Sequence, residues 1–321
     1  MNKVLITGAC GYLGARLSKY LAETGYRVTA FDSFDPSMYS QWTSLMDEVI
    51  IGDIREETTI SDLADKQFDV VIHLISLDHN KSEASPDFIS SINVMPTWNL
   101  LDKYSKQGLE KFIYFSTQHV LGEIPATIID ESYKPKPSNK YGLTHLLSER
   151  IIDYYNKNSA SNCINVRLSN GYGSPQFKDN NCWWLVINDL CKDAFTKNEI
   201  KLLSDGSPQR DFIHILDICQ AIEILIDTDS SFDDNIFHIA SGKTYTILEL
   251  AHTVREVFKD RYLKEINISL PDNSISKNPN KFKDIERFFI DTTRIEEYGF
   301  HSTIDLATGI NSIFEYLEEN Y

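Results

Sequence analysis

Short apolar runs alternate with segments of helical period through the first half of the chain. Lys3 to Thr7 is a β-leaning apolar run that meets glycine at once. Ala15 to Thr24 then carries Leu17, Tyr20 and Leu21 at helical spacing until Gly25 stops it. Arg27 to Phe31 reads as a second strand ending in Asp32, and Val49 to Ile51 as a third, followed by Gly52 and Asp53. Ser61 to Ala64 opens a short helix, and Asp69 to Ile75 has the apolar character of a strand buried on both faces. A helix over Pro86–Lys106, a strand over Lys111–Ser116, a helix over Tyr141–Asn156 and a strand over Cys163–Leu168 complete the series. Strands alternating with helices predict an α/β fold, a Rossmann doubly wound parallel sheet with a smaller C-terminal α/β substrate domain.

The rhythm loosens after Leu168. Residues 170–209 are irregular and rich in Gly, Asn and Asp, with one helix expected around Trp184–Phe195. Asp211–Ile226 reads as a strand and then a helix that rejoins the sheet, and Pro271–Lys283 is polar and expected to be mobile. The expected division is residues 1–168 with about 211–240 as one domain, and 169–210 with 241–321 as the other, the site lying in the cleft between them.

Composition narrows the partners. Lys and Arg total 31 against 47 Asp and Glu, a formal charge of −16 over 321 residues. That balance argues against a general polyanion binder, so no nucleic-acid partner is expected, although one local basic pocket remains possible. No stretch approaches the roughly 18 apolar residues of a membrane helix, and the first apolar run is too short for a signal peptide. The five cysteines are an odd number without a C-x-x-C pair, and the eight histidines form no recognisable ligand set. A cytoplasmic protein without membrane or metal is the expectation.

The candidate chemistry begins at Gly8-Ala9-Cys10-Gly11-Tyr12-Leu13-Gly14, a G-x-x-G-x-x-G pattern between the first strand and the first helix. Glycines there let a pyrophosphate approach the backbone, and the helix N terminus offers N–H groups and a positive dipole end. A tight turn that only packs helix on strand would use the same pattern. Asp32 lies 18 positions after Gly14, where a carboxylate can accept both ribose hydroxyls of an adenosine and repel a 2′-phosphate. This selects NAD over NADP; the competing reading is a solvent-facing loop acid. Asp53 and Ile54 could flank the adenine, or Asp53 could be a simple turn residue. Ser116-Thr117 at a strand end, with Tyr141 24 residues after Thr117, suits proton transfer at a carbinol carbon. Tyrosine has an ordinary pKa near 10, so a neighbouring positive charge must help it act as a base near neutrality.

With these motifs in place, the chain resembles the extended short-chain dehydrogenase/reductases, specifically the NAD-dependent nucleotide-sugar epimerase/dehydratase group. The glycine motif, Asp32, Gly52-Asp53-Ile54-Arg55, Asn93-Val94, Ser116-Thr117, Tyr141, Arg167-Leu168-Ser169-Asn170, Arg210-Asp211-Phe212 and the stretch from Asp291 to Gly309 carry the resemblance. It implies NAD as cofactor and a nucleotide-diphosphate sugar as substrate. It assigns Thr117, Tyr141 and His145 to catalysis. Gly8, Cys10, Gly11, Tyr12, Leu13, Gly14, Asp32, Asp53, Ile54, Leu74 and Ile75 go to the cofactor with Tyr141 and His145, and Thr117, Gln118, His119, Asn170, Arg210 and Arg287 to the substrate. It also implies a homodimer built on the helices near Pro86–Lys106 and Tyr141–Asn156.

Three positions depart from the family pattern. His145 stands where Tyr-x-x-x-Lys has its lysine, one turn beyond Tyr141 and on the same helix face. An ordinary imidazole is mostly neutral at pH 7, which weakens activation of the tyrosine; simple packing in the helix is the alternative for His145. Gln118 and His119 stand where the 4,6-dehydratases carry acids after the catalytic Thr, which disfavours dehydration. Leu121 replaces a tyrosine. The expectation is a 4-epimerase acting by hydride transfer at C4. A 4-ketoreductase, a C4 dehydrogenase and a catalytically weak nucleotide-sugar-binding protein are the alternatives. Trp183 and Trp184 suit the nucleotide pocket, the core or a dimer contact.

Overall fold

The structure, a computed structural model, describes residues 2–125, 127–228, 234–271 and 286–321. Apart from Pro271 itself, the segment expected to be mobile lies outside the described residues up to Lys283. In chain order the first half is β1 (Lys3–Thr7), α1 (Tyr12–Glu23), β2 (Arg27–Asp32), α2 (Ser40–Thr43), β3 (Glu48–Ile51), α3 (Glu57–Ala64) and β4 (Val70–His73). It continues with α4 (Pro86–Asn93), α5 (Met95–Tyr104), β5 (Lys111–Thr117), β6 (Ile128–Ile129), α6 (Lys140–Asn158) and β7 (Asn162–Leu168). Next come β8 (Asn170–Tyr172), α7 (Val186–Lys197), β9 (Glu199–Lys201), β10 (Gln209–His214), α8 (Ile215–Asp227) and β11 (Ile236–Ile239). The chain closes with β12 (Thr244–Thr246), α9 (Ile247–Tyr262), β13 (Asn267–Ser269), β14 (Phe289–Ile290), α10 (Thr293–Glu296) and α11 (Leu306–Asn320).

Seven strands form one sheet in the order β11-β7-β5-β4-β1-β2-β3, every pair parallel. Because side chains alternate along a strand, Val4 and Ile6 enter one core with Leu17, Leu21, Ile222 and Leu225 from α1 and α8. Leu5, between them, enters the core on the opposite face with Leu63, Leu101 and Ile152 from α3, α5 and α6. This two-sided burial explains the unbroken apolar runs. A separate cluster joins α7, α9 and α11 through Ile187, Val254 and Phe314. The strand order reverses beside β1, between β1 and β4, which places a ligand crevice at the carboxyl ends of these strands.

The structure differs from the sequence expectations in particulars. The helix expected over Pro86–Lys106 is two helices, because Val94 leaves helical geometry at φ −121° and Pro96 opens α5, where its missing N–H costs nothing. The strand before α8 does not enter the large sheet: β10 pairs with β8 and β12, and the seventh strand is β11 beside β7. Helix α1 begins at Tyr12, inside the glycine motif, three residues earlier than its apolar spacing suggested.

Candidate active site

The glycine turn is made by close approach. A Cβ on Gly14 would lie 2.0 Å from the Gly8 carbonyl oxygen, so only glycine allows α1 to start this close to the turn. Gly8 itself sits at φ +78°, and its N–H donates to Phe31 O at 2.9 Å. No side chain caps α1, and its first turn holds no acid, so the positive end of the helix is left to a ligand.

Asp32 ends β2 beside this turn and accepts from the N–H groups of Cys10 at 2.9 Å and Phe34 at 3.1 Å. Burial, with Asp32 and Asp35 nearby, pushes the Cys10 thiol up to about 12. That local negative field opposes a 2′-phosphate. The turn, the open helix end and the acid fit a dinucleotide of the NAD type.

A cavity of about 1320 Å³ runs from this turn across the strand ends to β10. Its walls include Gly8, Gly11, Tyr12, Leu13, Gly14 and Leu74 at one end. Thr117, Gln118, His119, Tyr141 and His145 lie along it, and Asn170 and Arg210 beyond them. The predicted catalytic and most of the predicted substrate residues are therefore brought together.

Other predicted residues lie off the cavity wall. Cys10 is buried in the core beneath the turn, and Ile54 is buried with Leu5 and Phe31. Ile75 packs on that same cluster, its backbone against Gly8. Asp53 is held by Arg55, whose guanidinium keeps its carboxyl below the usual range. Arg287 points to Glu249 at 2.6 Å and to Thr244 O at 2.7 Å, while its neighbours Glu286 and Phe288 line the cavity instead.

The reacting end is built by two elements pressed together. A Cβ on Gly142 would lie 2.4 Å from His119 O, so glycine directly after Tyr141 lets the start of α6 sit on the chain just past β5. Asn139 caps α6 by accepting from Gly142 N–H at 2.8 Å. Asn93 ties the same helix down. Its Oδ1 accepts from Leu77 N–H at 2.8 Å, its Nδ2 donates to Thr144 Oγ1 at 3.0 Å, and its carbonyl accepts from Ser148 Oγ at 2.9 Å.

The Thr117 side chain beside the Tyr141 phenol favours its ionised form. Burial outweighs that influence, and Asp78 adds to burial, so the phenol stands at about 12. His145 is 2% exposed, and burial, then His119 and His73, lower it to about 3. It is therefore neutral and supplies no cation to Tyr141. Burial, then Arg210 and His79, also lower His119, whose Nδ1 faces Asn139 Nδ2 at 3.3 Å. Arg210 and His119 thus both face the cavity among the candidate substrate residues.

Sequence reasoning missed Ser76, Tyr114 and His79. Ser76 and Tyr114 both touch His145, and His79 lies 5.5 Å from the Trp184 ring on the cavity wall. The exchange of lysine for His145 signalled that partners would be needed, without saying which residues supply them. No group of three or more metal-ligating side chains occurs among the described residues, and none of their helices is long and apolar enough to cross a membrane.

A family model described as the NAD dependent epimerase/dehydratase family matches residues 4–240. The dTDP-glucose 4,6-dehydratase of Streptomyces niveus is 22% identical over 331 residues, covering 99% of this chain and 93% of that protein. The UDP-glucose 4-epimerase of Corynebacterium glutamicum is 26% identical over 267 residues, covering 79% of this chain and 80% of that one. Among solved structures, the UDP-glucose 4-epimerase of Thermotoga maritima superposes with a TM-score of 0.83 at 21% identity, covering 99% of both chains.

Proposed function

The chain belongs to the NAD dependent epimerase/dehydratase family, and from that premise we propose that it is a 4-epimerase of a nucleotide-diphosphate sugar. Tyr141 and Thr117 side by side on the cavity wall carry this reading, with an amide and an imidazole, Gln118 and His119, in place of acids after Thr117. Uridine diphosphate sugars are the first candidates, because relatives of both sequence and fold are named as UDP-glucose 4-epimerases.

The glycine turn and Asp32 would hold NAD, which when bound would supply the hydride acceptor and donor for C4. Tyr141 takes the proton of the C4 hydroxyl at its phenolate oxygen and gives it back after the ring has turned. Thr117 hydrogen-bonds the same sugar oxygen and fixes C4 in place. Arg210, exposed to the cavity, pairs with the diphosphate through its planar fork. Dehydration would need an acid to protonate the leaving hydroxyl, and neither position after Thr117 holds one.

The same reading includes a homodimer. Phe88, Met95, Trp98, Leu143, Leu147 and Tyr154 on α4, α5 and α6 are between 43% and 60% exposed, an apolar surface that a second copy would cover. All five cysteines are free and buried, which supports a reducing compartment such as the cytoplasm.

The test is incubation of the purified protein with UDP-, GDP-, dTDP- and CDP-sugars, with NMR of the sugar. Inversion at C4 with NAD retained and not consumed supports the epimerase. Stoichiometric loss of NADH supports a 4-ketoreductase instead. No change at any C4, with or without added NAD(H), ends both readings.

A further inference from the structure

Tyr114 and His145 face one another between β5 and α6; Tyr114 lies outside the family motif, and His145 takes the place of its lysine. The Tyr114 hydroxyl lies 2.8 Å from His145 Nδ1, and Ser76 Oγ lies 3.0 Å from Nε2 on the other side of the ring. We propose that Tyr114 and Ser76 are positioning residues that fix His145 as a neutral imidazole with its proton on Nε2, so that an uncharged ring rather than a cation stands beside Tyr141.

The direction of the hydrogen bonds carries the argument. Ser76 Oγ donates its single proton to Leu77 O at 3.0 Å, so toward Nε2 it accepts, and Nε2 carries a proton. A neutral imidazole then has a lone pair on Nδ1, which accepts from the phenol of Tyr114. Ser148 also neighbours Tyr114, but its proton goes to Asn93 O at 2.9 Å. Proton donation thus runs one way, from Tyr114 through His145 to Ser76 and on to the Leu77 carbonyl.

The surroundings favour the neutral form. From β4 comes His73, whose Nδ1 is engaged by Thr7 Oγ1 at 2.6 Å. The turn after β5 brings His119, and α6 itself brings Tyr141, whose ring meets that of His145 at 4.5 Å. The two histidines oppose a positive charge there, and the Phe115 carbonyl, which favours one, is outweighed. Burial adds to the same effect, since the side chain is enclosed between sheet and helix.

With its one N–H given to Ser76 and its one lone pair engaged by Tyr114, the neutral ring cannot lower the Tyr141 pKa as a lysine would. This inference rests on the reading of Tyr141 as the base, yet its first readout needs no sugar. The NAD-bound protein is labelled with 15N in its histidine rings, and long-range proton–nitrogen correlations are recorded between about pH 8 and pH 5.5, across the ordinary imidazole range. The His145 signals are identified by their loss in His145→Gln.

The expected result is one neutral His145 species, protonated at Nε2, that does not titrate. Tyr114→Phe should give a mixture of tautomers or a His145 that begins to protonate. Ser76→Ala, at a half-buried position, should shift the Nε2 signal without loss of fold. An imidazolium near pH 6.5 in the wild type, a proton on Nδ1, or an unchanged tautomer in both variants would overturn the inference. Absence of epimerisation alongside the expected spectra would count against the proposed function only.

Discussion

Tyr141 and His145 lie one helical turn apart, and their rings meet edge to face, with centroids 4.5 Å apart and planes at 73°. In this arrangement the histidine touches the base without charging its surroundings. Burial raises the phenol to about 12 and lowers the imidazole to about 3, so both side chains are neutral at pH 7. On its own the site therefore holds a neutral phenol, and a positive ring beside it, as NAD would bring, would favour the phenolate.

Removing the phenol oxygen should stop chemistry and spare binding. Tyr141→Phe is expected to lower kcat by about 10²- to 10⁴-fold, the usual scale of general acid–base catalysis. Calorimetric titration should find affinities for NAD and for a nucleoside diphosphate within about threefold of wild type, roughly 0.6 kcal/mol by the affinity arithmetic.

His145→Lys should restore a cation beside Tyr141. A nearby positive charge favours the phenolate, so the acidic limb of the kcat/KM profile should move to lower pH and activity at pH 7 should rise. A pH–rate profile that coincides with the wild type would show that residue 145 does not govern the base.

The buried histidines should make folding acid-sensitive. Burial lowers His73, His145 and His238 to about 3 and His214 to about 4. Since their unfolded pKa is near 6.5, the unfolded chain binds the extra protons first as pH falls. The stability they support is complete above pH 6.5 and is lost progressively toward about 3 to 4. Thermal melts across that window should show a falling midpoint, and His73→Gln should flatten the slope.

Behind the strand ends, Arg167 and Glu149 form an ion pair with side chains 1% and 0% exposed, with Nε and Nη2 each donating to one carboxylate oxygen at 2.9 Å. Ser116 Oγ donates to the same carboxylate at 2.6 Å. Glu149→Leu would leave the arginine buried and unpaired, so a loss of about 3–5 kcal/mol is expected in denaturant titrations. Replacing both partners by apolar residues of similar volume should cost much less.

The exposed apolar face of α5 and α6 can be tested by charge. Trp98→Asp together with Leu147→Glu should shift the protein from dimer to monomer in sedimentation velocity, with the secondary structure kept. A wild type that sediments as a monomer at all concentrations would remove the dimer from the proposed function.

Local chemistry made much of this legible from the chain. Lys3–Thr7, Arg27–Phe31 and Lys111–Ser116 are strands because β-leaning apolar runs bounded by turn residues have few alternatives. Gly14 and Asp32 could be read because a close backbone approach and a strand-end acid leave residue-level marks. Tyr141 and Thr117 were paired by their places on a helix and at a strand end.

Long-range packing decided the rest. Nothing in the spacing says that Arg287 turns to Glu249 and away from the cavity, or that Ile54 is buried in the core. Nor does it say that β10 joins β8 and β12 and leaves β11 to extend the large sheet. The protonation of His145 depends on Ser76 and Tyr114, 69 and 31 positions away in the chain. Sequence records which groups are present; burial and hydrogen-bond direction, which set their charge, exist only once β4, β5 and α6 have come together.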